Sequence, residues 1–239
     1  MMRLNRFLAW CGLGSRRKCE SFIEAGRVAI DGIVVNSLST HVDEQKNIVT
    51  VDGRRVGPPK KYIYVLMNKP KGYVTTASDE RGRKTVLDLL PDHFRVFPVG
   101  RLDKDTMGAL LLTNDGAIAF RLMHPKFDVA KVYQVSLDKP ITNQHVQKLQ
   151  SGILLEDGIT TPCQVRIIDE DRNKIEVILH EGRKRQIRRM LSSVGYNVVS
   201  LVRTQFATVT IADLKPGEWR YLVDQEIVNL KAIVSENDG

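Results

Sequence analysis

The first sixty residues show apolar positions at helical spacing, followed by short apolar runs around Asp-Gly pairs. Leu4, Phe7, Leu8 and Cys11 recur at i, i+3, i+4 and i+7, which predicts a short helix. Ser15 is a favourable N-cap for a second helix that ends at Gly26. Asp-Gly at 31–32 and at 52–53, each between apolar runs, predicts two β-hairpins.

The Gly-Pro-Pro-Lys-Lys segment at 57–61 interrupts this pattern, because proline fixes φ and removes a backbone donor. We therefore predict a small domain over 1–57, a linker over 58–61 and a larger domain over 62–239. In the larger domain the hydrophobic pattern predicts helices over 142–150 and 184–194, the first capped by Thr142. Predicted strands lie at 62–67, 109–113, 132–137, 164–168, 174–179 and 198–203. Strands closely spaced around few helices indicate an α+β fold.

Composition narrows the classes of protein to consider. The chain has 239 residues, 42% hydrophobic and 27% charged, which argues against a disordered chain. It contains no apolar run long enough to cross a bilayer and no signal-peptide pattern, so we expect a cytoplasmic protein. The three cysteines lack metal-ligand spacing and are expected to be reduced structural thiols. A net charge of +8 favours a polyanionic partner.

The basic residues are concentrated in two places. In the first domain, cations in the first turn of the second helix oppose its macrodipole, so phosphate binding explains them better than helix stability does. The alternative is a solvated basic face. Around 184–194, arginines recur beside the apolar stripe and no acid follows Glu181 within the helix, which favours an arc facing phosphate. The cations concerned are Arg3, Arg6, Arg16, Arg17, Lys18, Arg27, Arg185, Arg188 and Arg189.

The candidate chemistry centres on one charged segment. Gly100 to Thr106, GRLDKDT, packs charges just before a buried run. It is either a solvated loop in which Asp103 or Asp105 caps a turn, or a segment that holds a carboxylate at the mouth of a sheet. No nucleotide-binding glycine motif is present and the five histidines are scattered, so neither a cofactor nor a metal site is predicted.

Two parts of the sequence resemble known protein families. Residues 4–9, 15–20, 23–28 and 31–32 resemble the alpha-L RNA-binding domain of ribosomal protein S-four type. This resemblance implies RNA contacts from Arg3, Arg6, Arg16, Arg17, Lys18 and Arg27. Residues 68–72, 100–108, 131–133 and 181–190 resemble the RsuA-like pseudouridine synthases in order and spacing. Ala109 stands where leucine is common in that family, and Ala207 where glycine is common, a position at which positive φ disfavours alanine.

The second resemblance implies a catalytic domain with a mixed, mostly antiparallel sheet and a basic cleft. It implies that Asp103 is the catalytic aspartate, that Arg188 forms an ion pair with it, and that Tyr133 packs against the target base. Arg101 would fill the space that the base leaves in the RNA. Further RNA contacts are predicted from Lys131, Arg183, Arg185 and Gln186. No cofactor is implied.

These roles fit the chemistry of an isomerisation. A carboxylate in a partly dry pocket needs a nearby cation to stay ionised, and a stacked uridine must be flipped out before it can react. We therefore predict a cofactor-free pseudouridine synthase acting as a monomer on structured RNA, with ribosomal RNA favoured by the resemblance. The alternatives are a non-catalytic RNA-binding or ribosome-assembly factor and, less favoured, a DNA-binding protein.

Overall fold

The computed structural model describes residues 1–77 and 79–235, which form two compact units. One unit comprises Met1–Ile63 with Asn114–Gly116, and the other comprises Tyr64–Thr113 and the chain from Ala117 onward. The predicted second domain extends to residue 239, and its last four residues lie outside the described part. Within the described ranges no helix has the length and apolar character needed to cross a membrane.

The first unit contains two helices and six short strands. Ser15 caps the second helix by accepting a hydrogen bond from the Lys18 backbone N–H, and both predicted Asp-Gly hairpins form, with Asp31 at φ 49° and Asp52 at φ 50°. β1 pairs with β4, and the other strands form a sheet in the order β3-β2-β5-β6. The elements are β1 (Met2–Arg3), α1 (Leu4–Trp10), α2 (Arg16–Glu24), β2 (Val28–Ile30), β3 (Ile33–Val35), β4 (His41–Val42), β5 (Val49–Val51) and β6 (Arg54–Val56).

The second unit alternates strands with four helices and two short 3₁₀ segments. Its strands are β7 (Tyr64–Lys69), β8 (Phe97–Pro98), β9 (Met107–Thr113), β10 (Lys131–Leu137), β11 (Leu154–Leu155), β12 (Gly158–Ile159), β13 (Gln164–Ile167), β14 (Lys174–Leu179), β15 (Val198–Phe206), β16 (Val209–Thr210) and β17 (Trp219–Tyr221). Its helices are α3 (Gly116–Met123), α4 (Asn143–Ser151), α5 (Gln186–Ser193) and α6 (Asp224–Ser235), and the 3₁₀ segments are Val86–Leu89 and Pro125–Phe127. α3 begins at Gly116, within the stretch assigned to the first unit.

One nine-stranded sheet organises this unit, with its main path in the order β13-β14-β10-β15-β9-β7-β17. Its strand pairs are antiparallel except for β15 and β9, which run parallel and meet at Val202 with Met107 and at Arg203 with Gly108. The predicted mixed, mostly antiparallel sheet is thus confirmed. One apolar cluster packs on the β7 and β9 side with α3 and α6, and another on the β10, β13 and β14 side with α4 and α5.

The helix predicted over 184–194 is shorter than the hydrophobic pattern indicated. It begins at Gln186, because Arg185 adopts the left-handed conformation at φ 51° and serves as its N-cap residue. Lys184 and Arg185 therefore lie in the turn that leads into the helix. This turn faces the cavity described next.

Candidate active site

A cavity of about 660 Å³ opens beside the junction of β9 and β15. Its walls come from the segment Gly100–Thr106, from β10 and β15, and from the chain between β14 and α5. Its described lining includes two carboxylates, Asp103 and Glu181, against six basic side chains. The basic side chains are Arg101, Lys131, Arg183, Lys184, Arg185 and Arg203.

Asp103 lies in this lining and is half-buried. It belongs to the loop that leads into β9, where Thr106 N–H donates to the Asp103 carbonyl oxygen at 3.0 Å. Thr75 Oγ1 donates to the Leu102 carbonyl oxygen at 2.9 Å and so fixes the preceding residue. These contacts fix the backbone of the loop at the position where Asp103 lines the cavity.

Lys69 is the buried cation that supports the Asp103 loop. Its side chain is 0% exposed, and its Nζ donates to the carbonyl oxygens of Pro70, Asp103 and Thr106 at 3.2, 3.0 and 2.8 Å. Burial lowers the pKa of Lys69 to about 8, against the opposing effect of the Asp105 and Asp103 carboxylates. Lys69 therefore places a positive charge under the loop and ties its backbone down.

Tyr133 and Arg101 also line the cavity. Tyr133 lies on β10, directly opposite Arg203 on β15, and is partly buried against the β10-side apolar cluster. A ring anchored on one face in this way can present its other face to a flat ligand. Arg101 is exposed at the cavity.

The predicted ion pair between Asp103 and Arg188 is wrong for this structure. Arg188 Nη2 lies 3.3 Å from Asp105 Oδ2, and its Nη1 donates to the Val198 carbonyl oxygen at 3.1 Å. Among the described residues no ion pair joins Asp103 to Arg188, and Arg188 is absent from the described cavity lining. The cause is a competing carboxylate two residues farther along the same loop.

Asp105 forms ion pairs with two arginines. Arg185 Nη1 also donates to it, at 3.1 Å. Burial raises the pKa of Asp105, but Arg188 and Arg185 lower it more, so the net shift is downward. The three arginines of the predicted phosphate-facing arc all have carboxylate partners in this structure, because Arg189 also donates twice to Asp157 at 2.9 Å.

Arg183 and Gln186 hold the turn before α5 in place. Arg183 Nε donates to Glu181 at 3.0 Å, and its Nη atoms donate to the carbonyl oxygens of Asp157, Gly158 and Ile159 in the β11-β12 hairpin. Gln186 is 4% exposed and both ends of its amide are engaged: Nε2 donates to Glu181, and Oε1 accepts from the Arg183 N–H. Gln186 also lines the cavity, and the predicted RNA contact from it stays a prediction.

Lys131 lines the cavity, but its ammonium donates to the carbonyl oxygens of Val129 and His180 at 2.7 and 2.9 Å. Burial lowers the pKa of Lys131 to about 8, and Arg203 lowers it further, whereas Asp128 and Glu181 raise it. The group therefore contributes charge to the cavity from an anchored position.

In the first unit, most of the predicted RNA-binding cations are exposed and unpaired. Among the described residues, no ion pair forms with Arg3, Arg6, Arg16, Arg17 or Lys18. Arg27 differs, because it donates to both oxygens of Asp52 at 2.9 and 2.6 Å.

Sequence reasoning assigned no role to two buried cations, Lys69 and Arg203. Arg203 is 2% exposed, and its Nε donates to the Ala109 carbonyl oxygen at 2.8 Å. A charged residue in a strand pattern gives no signal of burial, although Lys69 stood within a motif that carried the resemblance. Nearby, Ala207 adopts φ 53° and is buried, so this position does carry the positive φ that glycine tolerates better.

Comparison with known proteins gives two family matches. Residues 63–193 match the family model described as RNA pseudouridylate synthase, and residues 2–48 match that of the S4 domain. Both the domain types and their order along the chain agree with the resemblances found in the sequence.

Similar proteins match over almost the full chain. An "uncharacterized RNA pseudouridine synthase" of Aquifex aeolicus is 41% identical, with 96% of this chain and 93% of the relative covered. The ribosomal large subunit pseudouridine synthase B of Bacillus subtilis is 38% identical, with 98% and 97% covered. A crystal structure of a pseudouridylate synthase superposes with a TM-score of 0.71 at 30% identity and covers 96% of this chain and all of that chain.

Proposed function

The chain belongs to the RNA pseudouridylate synthase family, and we propose that it converts one uridine of ribosomal RNA to pseudouridine, with Asp103 as the essential carboxylate. Family membership makes the protein an isomerase that acts on RNA. The ribosomal target is suggested by the name of the Bacillus subtilis relative. Work on ribosomal RNA would place the enzyme in the cytoplasm, where we propose that it acts as a monomer.

The observation that carries the proposal is the position of Asp103, half-buried in a basic cavity that also contains Tyr133. The ammonium of Lys69 lies beneath the same loop and donates to the Asp103 carbonyl oxygen. Basic side chains around the opening attract the phosphates on either side of a flipped nucleotide. Nucleophile, cation and aromatic ring thus share one site that a single nucleotide can enter.

The proposed reaction requires no added group. Asp103 attacks the nucleoside, at the ribose or at the base, or removes a proton to give a glycal. The bond from N1 to C1′ breaks, the uracil turns, and C5 bonds to C1′, while Asp103 is released from the atom that it attacked or returns the proton that it took to C2′. The proton on C5 then leaves and N1 takes one up, so atoms and electrons balance. Stacking on Tyr133 offsets part of the few kcal/mol needed to unstack the base.

The test measures release of tritium from ribosomal RNA labelled at C5 of uridine. Wild-type protein should release label, and Asp103→Asn should release none while retaining its affinity for the RNA. Arg166→Met serves as a matched control, because the Arg166 side chain is 74% exposed on β13, and it should retain full activity. Equal release by wild type and Asp103→Asn would refute the role of Asp103. Absence of release from every substrate RNA would instead favour a non-catalytic RNA-binding or ribosome-assembly factor.

The role of Tyr133 is tested by two substitutions. Tyr133→Phe keeps the ring and should retain more activity than Tyr133→Ala, because stacking needs the aromatic face. An equal loss in both variants would assign the effect to the hydroxyl.

We further propose that the first unit docks the RNA through its unpaired cations. Replacing Arg16 and Arg17 with alanine should weaken binding of full-length RNA and reduce its salt dependence, with turnover of a minimal stem-loop unchanged. Asp52→Asn removes the ion-pair partner of Arg27 and leaves Arg16 and Arg17 unchanged, so it provides a comparison on the same unit. Unaltered affinity in the double variant would place the docking surface elsewhere.

A further inference from the structure

Arg203 is a buried charge without a matching anion. Its residue is 2% exposed, its Nε donates to the Ala109 carbonyl oxygen, and its Nη2 has no hydrogen-bond partner among the described residues. Its guanidinium carbon lies 4.7 Å from the centre of the Phe206 ring, so an aromatic face covers one side. No described carboxylate pairs with it. A buried, uncompensated guanidinium is costly unless an anion reaches it at some stage of function.

The fold forces Arg203 into this position. Gly108 on β9 and Tyr133 on β10 lie opposite Arg203 on its two sides. A Cβ at Gly108 would lie 2.2 Å from the Arg203 carbonyl oxygen, so only glycine permits this approach. The three strands therefore bring Arg203 to the cavity that Asp103 and Tyr133 also line.

Positive charge is in excess around this point. Lys131 lines the same cavity, and Arg203 lowers the pKa of its ammonium, which means that the two cations repel each other. Thr106 Oγ1, buried in the same wall, is another polar atom without a partner. Without a ligand, the site thus contains cations that repel each other and polar atoms without hydrogen-bond partners. Such a site suits a ligand that carries negative charge during the reaction.

The proposed isomerisation creates such a charge. When the bond from N1 to C1′ breaks by attack at the ribose or by glycal formation, the uracil leaves with the electron pair. The negative charge then spreads over N1, O2 and O4 until C5 bonds to C1′. Asp103 offers this anion no positive charge, because by then its carboxylate is either bonded to C1′ or protonated. A fixed cation in a site that excludes water can do so without reorganising.

We propose that Arg203 is the electrostatic partner of the uracil anion, stabilising it between cleavage of the bond to N1 and formation of the bond to C5. This inference rests on the proposed function and assigns to Arg203 a task distinct from those of Asp103 and Tyr133. It accounts for a guanidinium that is buried, has no carboxylate partner and lines the same cavity as Tyr133.

The first experiment compares wild type, Arg203→Met and the control Arg166→Met in single-turnover reactions on the substrate RNA. Arg203→Met should slow the chemical step at least about 100-fold, the magnitude typical of removing one preorganised transition-state contact. RNA affinity should change less than about 3-fold, because the charge is needed after binding. Wild-type rate in Arg203→Met, or a loss explained wholly by RNA affinity, would overturn the proposal. Inactive wild-type protein would instead overturn the proposed function.

A second variant separates charge from packing and remains informative if Arg203→Met folds poorly. Arg203→Lys retains a cation, but a buried ammonium loses its proton near neutral pH whereas a guanidinium does not. The ratio of the Arg203→Lys rate to the wild-type rate should therefore fall as pH rises from about 7 to 9. Measuring the ratio in a Lys131→Met background removes the titration of Lys131, whose pKa Arg203 itself lowers. A ratio independent of pH would show that Arg203 acts through packing and would overturn the proposal.

The pH profile also distinguishes the anion that Arg203 serves. If Arg203 stabilises the uracil anion, the acid limb of activity, set by the essential carboxylate, should remain in place in Arg203→Met. A shift of that limb to higher pH, with the wild-type rate recovered above it, would show that Arg203 serves Asp103 and would overturn the assignment.

Discussion

Substituting Gly108 with alanine tests the energetic importance of the close approach between β9 and β15. Gly108 has φ 111°, and an added Cβ would lie 2.2, 2.6 and 2.8 Å from the O, N and C atoms of Arg203. An ordinary carbon–oxygen contact is about 3.3–3.6 Å, so the two strands would have to separate by about 1 Å. All three neighbours are backbone atoms, which cannot move away by changing a rotamer.

The expected cost has two parts. Positive φ in a residue with a Cβ costs roughly 1–2 kcal/mol, and overpacking costs typically about 1–3 kcal/mol. We therefore expect Gly108→Ala to lower the free energy of unfolding by about 2–5 kcal/mol, a large share of the roughly 5–15 kcal/mol of a typical domain. Activity should fall with it, because Arg203 and the Asp103 loop lie at the same junction.

The assay is urea unfolding followed by fluorescence in a Trp10→Phe background, so that Trp219 alone reports on the second unit. Gly116→Ala is the matched control, since a Cβ there meets nothing within 4 Å and φ is not positive. The control should equal wild type or exceed it by about 0.5–1 kcal/mol. Equal unfolding free energies for Gly108→Ala and Gly116→Ala would refute the reasoning.

Two further predictions concern titratable groups. The pKa of Lys69 is about 8 in the folded protein and 10.5 without perturbation, so between about pH 8 and 10 the unfolded state binds more protons at this residue and the contribution of Lys69 to stability should rise with pH. Lys131 contributes in the same direction, so Lys69→Met should show a smaller rise in urea titrations, and an unchanged slope would contradict the assignment. Burial raises the pKa of Cys11 to about 12 and those of Cys19 and Cys163 to about 11, so iodoacetamide at pH 8 should alkylate the folded protein far more slowly than the unfolded protein. Equal rates, measured by intact mass, would contradict this.

Local signals in the sequence predicted the first unit well. Ser15 is an N-cap, and the Asp-Gly turns at 31–32 and 52–53 form hairpins, because both depend on interactions within a few residues. The predicted strand at 174–179 matches β14 for the same reason, since its apolar residues alternate.

The sequence did not predict the ion pairs between residues that lie far apart along the chain. The stretch after Glu181 contains no acid, yet Asp105 pairs with Arg185 from 80 residues away and Asp157 pairs with Arg189 from 32 residues away. The predicted ion-pair partner of Arg188 also differs from the observed one. Arg188 pairs with Asp105, two positions after Asp103 on the same loop. Charge pairing depends on the path of the loop, which hydrophobic periodicity does not describe.

The sequence also did not predict that two cationic side chains are buried. Lys69 and Arg203 read as strand residues, and only the pairing of β7, β9 and β15 places them beside the cavity. Arg203 also depends on a glycine on another strand, and no single stretch of sequence displays that relation.

The parallel junction between β9 and β15 has a consequence for the order of events during synthesis. Arg203 emerges from the ribosome about a hundred residues after Asp103, so a nascent chain that already displays its RNA-binding unit cannot yet build the cavity. The ladder that joins the two halves of the sheet is non-local and must close late in folding. We therefore expect translation products that end before β15 to contain Asp103 but not the complete cavity. Such incomplete chains should bind RNA without modifying it.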